Sequence, residues 1–292
     1  MKKAFWQLHG AVFLAGFTAL FGKWIHLNEA VLVWHRMWIS IVIMLLVYGF
    51  IKKRPKLSVR AFLKISAMGL VLSIHWVAFY GSVKYANVSV ALVCLSATGF
   101  FSALLEPIWM KKRLKFIELG LGILAILGIG IIFDVHTQFQ TGMLYGLLAA
   151  LAGAIFPMGN RVLLKNHPPD ELALVEFLGG WLGLSLLIPF YLRFMPELTW
   201  MPTGQEWIWL LLLAGICTVW AFDLQLKALE KLTAFTVNLT YNLEPLYGIV
   251  FAFFLFNEQK FLHIEFYWGM LLILASIGIQ TYRVIRFRKQ EE

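Results

Sequence analysis

Charged residues are scarce in this chain of 292 residues, at 14%, whereas hydrophobic residues make up 60%. A soluble globule of this size cannot cover its surface with so few polar side chains, so a water-soluble fold is excluded. Alternating segments of the kind that form outer-membrane barrels are also missing. Apolar runs of about 18 to 22 residues recur instead, and an α-helix needs that length to cross a bilayer. The composition therefore predicts an all-α integral membrane protein.

Cysteine and the common catalytic motifs are also scarce or missing. Cys94 and Cys217 fall in predicted spans without a partner nearby in sequence, so neither a disulfide framework nor a zinc site is supported. The chain has no HExxH, GxSxG or Walker A motif, which argues against a metalloprotease, a serine hydrolase and an ATP-driven pump. We therefore expect no enzyme activity, no cofactor and no metal site. The net charge of +9 comes from basic residues in short links between apolar runs, so no nucleic-acid partner is expected.

Ten apolar segments are long enough to be transmembrane helices. If the N-terminus is cytoplasmic, nineteen Lys and Arg residues fall in inside loops and only four in outside loops, as the positive-inside rule requires. The pattern predicts a multi-pass protein of the plasma membrane, surrounded by lipid, with both termini in the cytoplasm. The predicted spans are residues 5–22, 30–51, 62–82, 86–110, 116–133, 143–164, 171–192, 206–226, 232–256 and 262–282.

The two halves of the chain are predicted to be copies of one five-helix unit, residues 1–138 and residues 139–292. EQKF at 258–261 aligns with RLKF at 113–116, and VLVWHRMW aligns with ALVEFLGGW, which places Arg36 opposite Glu176. Because five is an odd number, the second copy enters the membrane from the opposite side. Such inverted repeats are the usual architecture for alternating access, in which a site near the midplane opens to each side in turn.

A recurring order of features marks the sequence. A Gly-rich first helix is followed by Lys23, and Arg36 comes early in the second span. YANVSVALV then leads into a basic corner and a Gly-rich span, GLGILAILGIGIIF. The strongest segment is LEKLTAFTVNLTYNLEPLYGIVFAFFLFNEQ at 229–259. In this order the sequence resembles the EamA family of ten-helix transporters in the drug/metabolite transporter superfamily.

The resemblance covers nearly the whole chain and is closest in the second half. Pro245 and Glu258 match the family's proline and its loop-initiating glutamate, whereas the first half has Phe100 and Arg113 at the corresponding places. The resemblance implies export of amino acids or related metabolites.

The segment around Glu244 carries the strongest candidate site. Glu244 lies about 12 residues, or about 18 Å, from its helix end, near the bilayer midplane. A carboxylate there costs at least ~2.5 kcal/mol unless it is paired or wetted. Pro245 lacks the N–H that would bond the Tyr241 carbonyl, and Asn238 and Asn242 add polar groups to the same helix. We expect Glu244 to line a central cavity and to exchange a proton as the coupling ion; the alternative is a structural carboxyl bonded to a neighbouring helix.

Four further residues are candidates for substrate binding. Arg36 suits an anionic substrate, and its alternative is an interfacial anchor that snorkels towards the outer face. Glu176 shares a helical face with a stripe of glycines, so the alternative is that this face serves close helix packing. His75 and Trp76 are expected near the midplane as a substrate wall or proton relay, the alternative being a packed histidine that donates to a backbone carbonyl.

These features predict a secondary transporter that exports a small polar or amphipathic metabolite by alternating access through a central cavity. The alternative is a non-transporting membrane scaffold or a lipid-handling subunit that uses the same bundle. A polar cavity at the midplane favours transport, whereas a dry and tightly packed centre favours the scaffold.

Overall fold

The computed structural model describes residues 2–48, 57–109, 111, 113–135, 137–193, 199–232, 234–241 and 243–291. These residues form helices and short connections, and within these ranges no β-strand occurs. Short 3₁₀ turns cover Thr137–Phe139 and Glu258–Phe261, and a π-helix covers Gly215–Trp220. The α-helices are α1 Lys2–Trp24, α2 Glu29–Tyr48, α3 Val59–Tyr85, α4 Val88–Leu95, α5 Thr98–Trp109, α6 Phe116–Val135, α7 Gln140–Leu163, α8 Pro169–Leu192, α9 Gly204–Ala214, α10 Ala221–Lys231, α11 Ala234–Tyr241, α12 Glu244–Phe256 and α13 Ile264–Glu291.

Long apolar helices confirm the predicted membrane class. In the part of the chain that the structure describes, seven helical segments are long and apolar enough to span a bilayer. In this number α4 and α5 together count as one span, and so do α9 and α10. Three shorter apolar helices lie at Phe116–Ile132, Glu244–Phe256 and Ile264–Ile279. Ten crossings and an inverted arrangement stay predictions.

Two spans predicted as continuous, 86–110 and 232–256, are each broken near the middle. The first is divided between Leu95 and Thr98, and the second between Tyr241 and Glu244. Pro245 lies in the first turn of α12, where an N–H would have no helical acceptor. The interruption lies where the sequence predicted a gap beside Pro245, but the continuous span 232–256 is wrong, because the proline begins a new helix.

The third irregularity is the π-helix between α9 and α10. It interrupts the predicted span 206–226 with a wider turn at Gly215–Trp220. Such turns are rare and are frequent at functional sites. Here the wider turn changes which side chains of the span face the centre of the bundle.

Helix packing places α3 at the centre of the bundle, against α7 and α8. On the other side α1 packs against α10 and α12, α2 contacts α8 and α9, and α6 pairs with α13. Gly128 and Gly269 bring the backbones of α6 and α13 together, and a Cβ on Gly128 would lie 2.6 Å from the Gly269 carbonyl oxygen. A Cβ on Gly269 would in turn overlap the Gly128 carbonyl.

Glu258 ties the second half of the chain to the first. Its buried carboxylate accepts hydrogen bonds from the backbone N–H groups of Val88 and Ser89, at 3.1 and 2.8 Å, and from the Ser89 hydroxyl at 2.7 Å. The Asn87 side chain caps the same helix by accepting from Val90 N–H. The start of α4 is thus fixed by the residue that the resemblance to the EamA family marks.

Candidate functional site: a central polar cavity

A cavity lies at the centre of the bundle, bordered by α1, α2, α3, α7, α10, the π-helix and the two broken helices. The volume that the centres of water molecules can occupy in this cavity is about 120 Å³. One water needs about 10–15 Å³ of such space, so the cavity has room for about ten waters or a small metabolite. Its walls combine aromatic rings with a few polar side chains, among them Thr18, Ser96, Thr98 and Gln225.

The helix breaks place four helix ends at this cavity. Leu95 and Tyr241 end α4 and α11, Thr98 and Glu244 begin α5 and α12, and all four residues line the cavity. Helix N-termini carry partial positive charge and free N–H groups, which favours anionic groups beside them. Broken helices at the midplane are also typical of the sites of secondary transporters.

Arg36 is the cavity's cation. Its side chain is 2% exposed and turns inward, away from the interface that was its alternative position. Its Nε donates to the Thr218 hydroxyl at 2.7 Å, and its Nη1 donates to the Tyr80 hydroxyl at 3.1 Å. Its Cζ lies 3.6 Å from the centroid of the Trp76 ring. Arg36 is therefore held by neutral partners, and within the described structure its Nη2 makes no hydrogen bond.

The π-helix presents Thr218 to Arg36. The Thr218 hydroxyl donates to the Leu213 carbonyl at 2.7 Å, so its lone pairs are left to accept from the guanidinium. Cys217, the preceding residue, also lines the cavity. The wider turn thus supplies an acceptor for Arg36 without introducing a charge.

Glu244 lines the same cavity and is 7% exposed. Among the described residues its carboxyl has no hydrogen-bond partner and no ion pair within 4.0 Å. It nevertheless interacts electrostatically with Arg36. The cavity therefore holds one cation and one carboxyl that do not neutralise each other by direct contact, which leaves both able to bind a ligand.

His75 and Trp76 both line the cavity. Nδ1 of His75 lies 2.7 Å from the Ala149 carbonyl oxygen, which can only accept, so Nδ1 carries the proton. In the neutral ring Nε2 is then an acceptor. His75 therefore lines the cavity wall, and it is also the packed histidine, bonded to a backbone carbonyl, that was the alternative to a site role.

The other predicted site residues are not all at the cavity. Tyr241 lines it. Asn238 lies in α11, but its side chain is outside the described part of the structure, and Asn242 is outside the described residues altogether. Glu176 does not border the cavity, because it is fully buried where α8 packs on α3.

Tyr80 and Thr218 escaped the sequence reasoning, although both contact Arg36. Tyr80 lies one turn after Trp76 in α3 but is far in sequence from Arg36, and Thr218 depends on the π-turn. Ser96 and Thr98, in the small polar run SAT, were a detectable sign that the fourth span is broken.

Comparison with known proteins agrees with this architecture. The model of the EamA-like transporter family matches residues 2–134 and, a second time, residues 140–282. The chain belongs to the EamA-like transporter family. The predicted family is therefore confirmed, and this EamA-like protein is a membrane transporter, not an enzyme.

Relatives of this EamA-like transporter carry transporter names. It is 24% identical over 243 residues to an uncharacterized transporter of Haemophilus influenzae, an alignment that covers 77% of this chain and 74% of the relative. It is 25% identical over 214 residues to the biotin transporter of Escherichia coli K12, covering 71% and 70%. One solved crystal structure has the same fold, with a TM-score of 0.66 at 12% identity, over 98% of this chain and 99% of that one.

Proposed function

We propose that this transporter is a secondary carrier that exports a small polar or amphipathic metabolite, similar in size and charge to an amino acid. One observation carries the proposal. A cavity at the ends of two broken helices holds Arg36, whose partners are all neutral, and Glu244, which has no direct partner among the described residues.

The chemistry of the cavity supports a substrate with a carboxylate. Three of the five N–H donors of Arg36, one on Nη1 and two on Nη2, make no hydrogen bond among the described residues, and a carboxylate can accept from them. The beginnings of α5 and α12 add partial positive charge at the same cavity. The biotin named for the relative in Escherichia coli is itself a carboxylic acid. Phe156 and Phe222 give the cavity an apolar wall for the rest of such a molecule.

An inverted pair of five-helix halves, residues 1–138 and 139–292, supports alternating access. Contacts between α3 and α7 are matched by contacts between α1 and α10, as a two-fold relation between the halves requires. The reciprocal pair Gly128 and Gly269 lies where such an axis would relate α6 to α13. Both termini are proposed to be cytoplasmic, in the plasma membrane.

Glu244 is proposed to exchange the coupling proton. It borders the cavity, so water that enters from either side reaches its carboxyl. Arg36 lines the same cavity without forming an ion pair with Glu244, so the carboxyl stays free to bind or release a proton. The open polar cavity also favours transport over a scaffold, which would have a dry centre.

Transport by purified protein in proteoliposomes tests the proposal. We expect the parent to move carboxylate-bearing metabolites against a concentration gradient when a pH gradient is applied. Arg36→Gln should abolish transport of these substrates while expression and folding are kept. Arg60→Gln is the matched control, because Arg60 is exposed at the start of α3 and far in sequence from the cavity-lining part of that helix. Equal transport of carboxylates by parent and Arg36→Gln would refute the proposal.

A further inference from the structure

Glu176 is a buried carboxyl that the cavity does not use. It lies on α8, it is 0% exposed, and neither carboxyl oxygen has a hydrogen-bond partner in the described structure. Asn160 on α7 is also 0% exposed, and neither its amide oxygen nor its amide nitrogen has a partner there. The Asn160 amide is the polar group that interacts with the Glu176 carboxyl. The two groups are thus neighbours, but in this geometry they form no hydrogen bond.

A protonated carboxyl and a primary amide are complementary. Each presents one N–H or O–H donor and one acceptor, so a small rotation of either side chain closes two reciprocal hydrogen bonds. An ionised carboxylate has only acceptors and would leave the amide oxygen of Asn160 without a donor. An ionised carboxylate without partners in an apolar interior is also strongly unfavourable. The pair therefore fits the neutral acid.

No cation compensates a charge on Glu176. The described residues of α2, α3, α7 and α10 place no Lys, Arg or His nitrogen within 4.0 Å of its carboxyl. Of the basic side chains on these helices, Arg36 and His75 border the cavity, and Arg161 donates to the Leu229 carbonyl.

Access to Glu176 is closed by the packing of α8 on α3. A Cβ on Gly69 would overlap the Glu176 carbonyl, and one on Gly179 would overlap Ser66. Directly after Asn160 in α7, Arg161 donates to the Leu229 carbonyl and so connects α7 to α10. The two backbones touch here and leave no room for water between them, so separation of α8 from α3 opens this side of Glu176.

We infer that Glu176 is a second proton-binding site, outside the substrate cavity, which is loaded and closed in this conformation. Its proton passes to water that enters when α8 separates from α3, and the carboxyl is reprotonated before the helices close again. This cycle rests on the alternating access proposed above, whereas the protonated state of the resting protein does not.

Difference infrared spectroscopy of the resting protein tests the protonated state directly. We expect a carbonyl stretch of a protonated carboxyl at neutral pH that disappears in Glu176→Gln and persists in Glu244→Gln. The Glu176 band should exchange slowly in D₂O, because no water reaches it, whereas a Glu244 band should exchange fast. A band that Glu176→Gln leaves unchanged, or that exchanges as fast as that of Glu244, would overturn the inference.

Asn160→Leu keeps the carboxyl and provides a readout even where Glu176→Gln fails to fold. Removal of the amide should shift the frequency of the Glu176 band, since the polar group beside the carboxyl is lost. An unshifted band would show that the pair does not exist.

Transport separates this inference from the proposed function. In Glu176→Gln we expect exchange of substrate across the membrane to continue. The rate of uphill transport driven by a pH gradient should fall at least tenfold. If Glu176→Gln transports uphill like the parent, Glu176 takes no part in coupling even though Arg36 binds substrate. If instead the parent itself fails to transport carboxylates, the proposed function fails, and the infrared result stands by itself.

Discussion

The guanidinium of Arg36 lies over the indole ring of Trp76, with Cζ 3.6 Å from the ring centroid. Both residues border the cavity, and the stacking fixes the plane of the guanidinium while Thr218 and Tyr80 hold two of its nitrogens. The remaining N–H donors are thereby held in place without a carboxylate partner among the described residues. A substrate carboxylate can therefore bind without displacing an internal ion pair.

Trp76→Leu should weaken the binding of carboxylate substrates. A desolvated cation–π contact is worth about 0.5 to 2 kcal/mol, so the half-saturating substrate concentration should rise roughly 2- to 30-fold. Trp76→Phe should restore part of the effect. Trp268→Leu is the control, because Trp268 is 59% exposed on α13, away from the cavity. Equal half-saturation in Trp76→Leu and Trp268→Leu would show that the stacking does not position Arg36.

Glu244→Gln should uncouple transport from protons. Glutamine keeps the shape of the side chain but cannot bind or release a proton near neutral pH. We expect a folded, membrane-inserted protein that still equilibrates substrate, but whose uphill transport no longer responds to a pH gradient. The measurement is proteoliposome uptake over a range of external pH at fixed internal pH. Pumping like that of the parent across this range would make Glu244 a structural residue.

Gly128→Ala should destabilise the protein, whereas Gly130→Ala should not. The added methyl at Gly128 meets the backbone of α13, and such overpacking typically costs about 1–3 kcal/mol. Nothing lies within 4 Å of a Cβ at Gly130, two residues further along the same helix. Alanine there should be neutral or stabilising, by up to about 1 kcal/mol, because it favours the helix more than glycine. Thermal unfolding in detergent compares the two variants, and equal melting temperatures would contradict the packing of α6 on α13.

Labelling from outside the cell should distinguish the two faces. Gln205→Cys, exposed at the start of α9, should react with a membrane-impermeant thiol reagent, whereas Lys165→Cys, exposed after α7, should react only after permeabilisation. Background is low, since Cys94 and Cys217 are buried. The reverse pattern would place both termini outside.

Sequence alone was sufficient for the membrane class, because hydrocarbon thickness fixes the length of an apolar run. It did not reveal the breaks after Leu95 and Tyr241, because average hydropathy over a whole span is insensitive to one missing turn. Glu244 was found because a carboxyl within an apolar run stands out. The partners of Arg36 were not, since Tyr80 and Thr218 are 44 and 182 residues away and reach it only through the fold.

The breaks in the fourth and ninth predicted spans have a mechanical consequence. An unbroken helix moves as a rigid rod, so a displacement at one membrane surface is transmitted to the other. Tighter i→i−3 hydrogen bonds bridge the breaks, from Ala97 N–H to the Cys94 carbonyl and from Leu243 N–H to the Thr240 carbonyl, so each half of these two spans can tilt about its own inner end more easily than a turn within one regular helix. A bound substrate would contact the inner ends of α4, α5, α11 and α12. Its binding or release therefore changes the tilt of these four helices separately.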